Sequence, residues 1–115
     1  MRMDKFTNLF QMALADAQSI ALGHENQVIE PEHVLLAMLQ QDGGAISAIL
    51  EQAGANSSSL IDELERAINH FAKVEGAPGE VHVSPALAQL LNRCDQLSQQ
   101  NKDQFISSEL FLVAM

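Results

Sequence analysis

The feature that most constrains the fold is an internal repeat with an offset of 77 residues. The segments QVIEPEHVLLAM, at 27–38, and QFISSELFLVAM, at 104–115, are identical at six of twelve positions. Two unrelated stretches of this length would share about one residue. The same offset places Thr7 on Ser84 without a gap. A repeat of this size predicts two similar multi-helix units related by a pseudo-two-fold axis.

The apolar pattern within each unit is helical. Apolar residues recur every three to four positions, which gives a helix one buried face. The segments begin with residues that cap a helix or that suit its first turn, namely Thr7, Pro31, Asn56 and Ser84. We therefore predict an all-α fold.

The repeat also predicts the organisation of the chain. The first four-helix copy is expected at about 4–72. The segment 73–83, KVEGAPGEVHV, has no helical period and is predicted to be a linker. The second, pseudo-symmetric copy occupies 84–115 and holds two of the four helices. Its last segment has no helix stop signal, so we expect this copy to be truncated at the C-terminus.

Composition and charge narrow the classes of partner. Hydrophobic residues make up 47% of the chain, which is enough for a core, and the net charge is −9. Six basic residues against fifteen acidic ones argue against nucleic acid and against an anionic membrane surface. The start of the chain has no apolar signal-peptide core, and no apolar run has the length of a membrane span. These features predict a cytoplasmic protein.

The sequence shows no catalytic or metal-binding pattern. It has no glycine-rich phosphate loop with a following Lys and Ser or Thr, so we expect no cofactor in this segment and no enzymatic activity. His33 lies in the first turn of a predicted helix and is expected to cap or pack rather than to bind a metal. Cys94, the single cysteine, is expected to be a small buried core residue. A small hydrolase is the alternative from another class, and no motif supports it.

Several stretches together resemble a known family. The first forty residues, the spacer VEGAPGEVHVS and the segment FISSELFLVAM resemble the N-terminal domain of the ClpB protein disaggregases, which are ring-forming AAA+ chaperones of the Clp family. The resemblance covers essentially the whole chain. It implies an all-helical domain tethered to a homohexameric ATPase ring, with ATP and magnesium bound in the ATPase modules of the parent protein.

The same resemblance implies partners. Domains of this family capture exposed apolar segments of unfolded or aggregated polypeptides, and the parent ring works with a DnaK-type chaperone system. Clp unfoldases that feed proteases share the double repeat, so an adaptor-docking or substrate-docking domain of such an unfoldase is the alternative. The ring and the chaperone system are implied by the resemblance alone.

The resemblance further implies a binding groove. The residues that match positions of the family at or near this groove are Thr7, Ser84, Asp103 and Glu109, and those that match its apolar lining are Leu97 and Leu110. Arg93 departs from the family, which often has an apolar residue there. This departure indicates a more amphipathic groove.

Most of these residues also have a structural explanation. Thr7 and Ser84 are good N-caps, and a carboxylate such as Glu109 is favoured by the dipole in the first turn of a helix. Leu110 is the repeat counterpart of His33. An apolar residue at a position that also accepts a polar one indicates either an exposed binding patch or a core residue.

Overall fold

The computed structural model describes residues 6–41, 46–73, 81–100 and 105–115. The described residues form six helices and two short strands. The helices are α1 (Asn8–Gly23), α2 (Pro31–Gln40), α3 (Ile46–Gln52), α4 (Ser57–Asn69), α5 (Pro85–Gln100) and α6 (Ser108–Ala114). The strands are β1 (Val28–Ile29) and β2 (His82–Val83). The predicted all-α class is confirmed.

The helix starts follow from local capping. The Thr7 Oγ1 atom accepts a hydrogen bond from the Phe10 N–H at 3.3 Å. The Ser84 Oγ atom accepts one from the Leu87 N–H at 3.0 Å. Each bond satisfies a backbone donor that the first turn of a helix otherwise leaves without a partner. The other two predicted starts, those of α2 and α4, are also found.

The two copies are related in space as the sequence offset predicts. Helices α1 and α5 each have 16 residues, and their bounds differ by the repeat offset at both ends. The Thr7 N–H donates to the Ile106 carbonyl at 2.9 Å, and the Ser84 N–H donates to the Ile29 carbonyl at 3.0 Å. The two bonds are equivalent, because the repeat offset of 77 relates Thr7 to Ser84 and Ile29 to Ile106. Each bond crosses from one copy to the other, so the pair marks an approximate two-fold relation.

The strands are the feature that the sequence analysis did not anticipate. Strands β1 and β2 pair in parallel, with Val28 opposite His82 and Ile29 opposite Val83. A matching parallel bridge joins Phe6 to Ile106. Strand β2 lies within the segment 73–83 that was predicted to be a linker, and residues 74–80 of that segment lie outside the described residues. Two-residue strands have no measurable period, and their pairing depends on partners far away in the chain.

Side chains from both copies form one hydrophobic core. The ring of Phe10 in α1 lies 5.1 Å from the ring of Phe6 and 5.3 Å from that of Phe111 in α6, measured between centroids. Cys94 is fully buried at the position that matches Ala17, as predicted. The two units are therefore joined by shared packing as well as by the crossed hydrogen bonds.

Candidate functional site

The candidate site is a groove between α1 and α5, which we call the α1–α5 groove. Its volume is about 380 Å³, and its lining consists of Phe6, Gln11, Leu14, Ala15, Gln18, Ile29, Val83, Leu87 and Leu91. The repeat offset relates Phe6 to Val83 and Leu14 to Leu91. Equivalent residues thus face each other from the two copies, so the groove lies across the approximate two-fold axis.

The lining determines what this groove can do chemically. It is mostly aliphatic and aromatic, and its side-chain polar groups are the amides of Gln11 and Gln18. No lining residue has an ionisable side chain. The groove therefore offers contact surface for apolar side chains, but its lining holds no general acid, general base or nucleophile.

A second cavity of about 360 Å³ lies beside α5 and the end of α6. Its lining consists of Pro31, Ala86, Gln89, Leu90, Arg93, Ala114 and Met115. Leu90 of this cavity and Leu91 of the α1–α5 groove are neighbours in sequence on α5. Arg93, the residue that departs from the family pattern, is exposed and places a cationic group on the wall of this second cavity. The apolar lining of the α1–α5 groove does not include it.

Two of the predicted site residues flank the α1–α5 groove. Thr7 follows Phe6, and Ser84 follows Val83, and both of the preceding residues line the groove. Ser84 is only 2% exposed, and its hydroxyl group is engaged as the cap of α5. Thr7 is half-buried and caps α1. Both residues therefore hold the ends of the groove helices in place.

The other predicted site residues lie on α5 and α6. Leu97 and Leu110 are half-buried and pack against the core, and neither lines either of the two cavities. Glu109 is exposed in the first turn of α6. Asp103 lies outside the described residues. The structure thus does not bring Leu97, Glu109 or Leu110 into the lining of the α1–α5 groove.

The residues that form the groove walls were not among the site residues predicted from the sequence. The helical period of the sequence assigns Leu14 and Leu91 to the core faces of their helices, but both are half-buried and line the groove. The available signal was their position, because each lies beside the fully buried stripe of its helix and the repeat keeps an apolar residue there in both copies. Val83, at the β2 end of the groove lining, is 48% exposed.

His33 has a structural role, as predicted. Its Nδ1 atom accepts a hydrogen bond from the Glu30 N–H at 2.8 Å, so the proton is on Nε2, which donates to Asn26 Oδ1 at 3.0 Å. The Asn26 amide in turn donates to the Ala72 carbonyl at 3.2 Å. Burial lowers the pKa of His33, and the neighbouring His24 adds to this effect, while Glu30 opposes it. His33 is therefore a neutral hydrogen-bonding link at the start of α2.

The remaining candidate groups carry no reactive chemistry in the described residues. Burial raises the pKa of the Cys94 thiol to about 11, so it is protonated near neutral pH and is a poor nucleophile. The described histidines, acids and cysteine form no cluster of three or more that could hold a metal ion. None of the described helices combines the length and hydrophobicity that crossing a membrane requires.

Comparison with known proteins gives consistent matches over the whole chain. Residues 5–115 match the family model of the Clp repeat (R) N-terminal domain. The chain is 45% identical over 114 residues to the chaperone protein ClpB of Pseudomonas putida, covering 99% of this chain but only 13% of that protein. It therefore spans about an eighth of the length of this relative.

Solved structures share the fold at lower sequence identity. The Hsp104 N-terminal domain from Candida albicans matches with a TM-score of 0.86 and 20% identity, over 96% of this chain and 72% of that one. The N-domain of ClpV from Vibrio cholerae matches with a TM-score of 0.83 and 20% identity, over 96% and 66% of the two chains. At this identity the matches show that the architecture is shared.

Proposed function

The chain belongs to the Clp repeat (R) N-terminal domain family of AAA+ chaperones, and we propose that its α1–α5 groove captures exposed apolar segments of unfolded or aggregated polypeptides. The observation that carries this proposal is the lining of the groove, which is apolar, open to solvent and free of ionisable side chains. Folded proteins bury most of their apolar side chains, so a groove of this kind favours chains that have lost their fold.

The size of the groove sets the expected strength of capture. Full burial of one aliphatic side chain contributes about 1.5–3 kcal/mol, and a cavity of about 380 Å³ has room for only a few such side chains. Ordering a flexible chain offsets part of this gain. The expected affinity is therefore weak, in the range of micromolar to millimolar Kd. Weak capture suits a domain that must release its substrate.

The role of the parent protein is inferred from the family to which the chain belongs. The ClpB relative is far longer than this chain, which matches only 13% of its length. We infer that the domain serves a homohexameric AAA+ ring, that ATP and magnesium bind in the ATPase modules of that ring, and that the ring works with a DnaK-type chaperone system. The domain itself acts by binding and not by catalysis, which is consistent with a groove that holds no catalytic group.

A titration against a permanently unfolded protein tests the proposal. A reduced and carboxymethylated protein is titrated into the ¹⁵N-labelled chain, and amide shifts should map to the α1–α5 groove. The native, folded form of the same protein is the control and should produce no shifts. Equal binding of the folded and unfolded forms would contradict capture of exposed apolar segments.

A matched pair of substitutions on α1 locates the site. Leu14→Gln changes a wall of the groove, and Leu22→Gln makes the same change at a residue outside the lining that is 43% exposed. Leu14→Gln should weaken binding about tenfold, because roughly half the contribution of one buried leucine is lost. Leu22→Gln should leave the affinity within about twofold. Equal effects of the two substitutions would place the binding surface elsewhere.

A further inference from the structure

One backbone edge in the α1–α5 groove has no hydrogen-bond partner among the described residues. In the parallel pair, the N–H of His82 donates to the Gln27 carbonyl at 3.0 Å, and the N–H of Ser84 donates to the Ile29 carbonyl at 3.0 Å. Because alternate residues of a strand direct their backbone groups to opposite sides, the N–H and C=O of Val83 point away from β1. No described residue donates to or accepts from them. Val83 is 48% exposed, so this edge is open.

In the first copy, the carbonyl of the equivalent edge is occupied. The repeat offset places Phe6 on Val83, and the Phe6 carbonyl accepts a hydrogen bond from the Gln11 side-chain amide at 2.9 Å. Phe6 is only 4% exposed. The residue equivalent to Gln11 in the second copy is Ala88, whose methyl group cannot donate a hydrogen bond. The two copies thus differ at one position that decides whether the edge carbonyl is occupied.

The open edge lies in the lining of the groove. Val83 borders it together with Leu87 and Leu91 of α5, and Leu14 lies on the opposite wall. We propose that the bound segment is extended and adds to β2 as a further strand, by exchanging hydrogen bonds with the N–H and C=O of Val83 while its alternate side chains contact the apolar walls. This inference rests on the proposed function and specifies the conformation of the captured chain.

The geometry selects for chain conformation more than for sequence. A helical segment satisfies its own backbone groups and cannot exchange bonds with a strand edge, whereas an extended segment presents free N–H and C=O groups. Backbone hydrogen bonds are available from any residue except proline at the donor position. The site therefore accepts many sequences, provided that the segment is unfolded and alternates apolar side chains.

Substitution of Ala88 tests this mode of binding. Ala88→Gln introduces the amide that closes the edge in the first copy, and Ala88→Met adds a side chain of similar length without a donor. Ala88 is exposed on α5, so both variants are expected to fold. The probe is a ten-residue peptide of alternating leucine and threonine with a lysine at each end and a fluorescent label. Ala88→Gln should raise the Kd by about three- to tenfold, the loss expected for one hydrogen bond, and Ala88→Met should change it less than twofold.

The Val83 amide gives a second readout on the unmodified chain. At saturating peptide, hydrogen exchange of the Val83 N–H should slow at least tenfold, while that of other exposed amides stays unchanged. If Leu14→Gln weakens binding but Ala88→Gln and Val83 exchange show no effect, or if the bound peptide is helical by NMR, strand addition is overturned and capture by the groove stands. If the peptide and the unfolded protein both fail to bind, the proposed function falls as well.

Discussion

Replacement of His33 by leucine tests the hydrogen-bonded link at the start of α2. Leucine is the residue at the equivalent position of the second copy, Leu110, so the change is compatible with the local backbone. It removes the acceptor of the Glu30 N–H and the donor to Asn26, whose side chain is almost fully buried. Leaving a buried polar group without a partner costs about 1–3 kcal/mol.

The expected loss can be worked out from these contacts. The Asn26 oxygen accounts for about 1–3 kcal/mol, and the Glu30 N–H, at a half-buried residue, for about 1 kcal/mol. Additional apolar contact of the leucine with the core offsets about 1 kcal/mol. The net destabilisation is then about 2 kcal/mol, which lowers the Tm by roughly 10 °C in a domain of this size. Thermal unfolding followed by circular dichroism at pH 7.5 measures this change.

The difference in stability between the wild type and His33→Leu should also depend on pH. In the unfolded chain, His33 titrates near its ordinary pKa of 6.5, whereas burial lowers its pKa in the folded state. The unfolded state therefore binds the proton first, so this contribution to stability is complete above pH 6.5 and is lost as the pH falls toward the folded pKa. The difference in Tm between the wild type and His33→Leu should narrow between pH 7.5 and pH 5.

A surface histidine provides the control. His70 is exposed at the end of α4, and His70→Leu should change the Tm by no more than about 2 °C. A His33→Leu variant as stable as the wild type at pH 7.5, or a Tm difference that stays the same down to pH 5, would refute the reasoning. The first result would mean that the hydrogen bonds contribute nothing, and the second that His33 is not held neutral.

Three substitutions and one labelling experiment provide further tests. Ser84→Ala removes the cap of α5 and should cost about 1 kcal/mol, read from thermal melts. Leu110→Gln alters a half-buried residue that packs against the core and should lower the Tm by several degrees. An unchanged Tm together with weaker peptide binding would instead show that Leu110 belongs to the binding site. The family resemblance, and not the groove lining, predicts that Glu109→Ala weakens binding of an unfolded protein while costing only about 0.3–1 kcal/mol of stability. Cys94 should react with a thiol reagent at least a hundredfold more slowly in the folded chain than in denaturant, because it is buried and its pKa is raised to about 11.

The helices could be predicted because their signals are local. A cap such as Thr7 or Ser84 acts on the backbone three residues away, and the repeat offset supplied each prediction twice. The strand pairs could not be predicted in the same way. Val83 pairs with Ile29, more than fifty residues earlier in the chain, and neither residue lies in a run with a strand period.

The site was harder to predict than the fold. Leu14 and Leu91 continue the apolar stripes of their helices, and only the three-dimensional structure shows that this edge of each stripe lines an open groove. The aligned copies show that Gln11 is replaced by Ala88. The sequence does not show that the Gln11 amide donates to the Phe6 carbonyl, so the effect of this difference on the strand edge could not be predicted. The roles of Asp103 and Glu109 stay predictions.

The crossed bonds at Thr7 and Ser84 also bear on how the chain reaches its fold. Each copy lends the strand that precedes its first helix to the other copy, so neither copy can complete its own backbone pairing. The bridge between Phe6 and Ile106 closes a loop of about a hundred residues, and we expect pairing over such a separation to form slowly. The helices of one copy can form early, but their backbone pairing and core are completed only when the other copy packs against them. We therefore expect the two copies to unfold in a single cooperative transition.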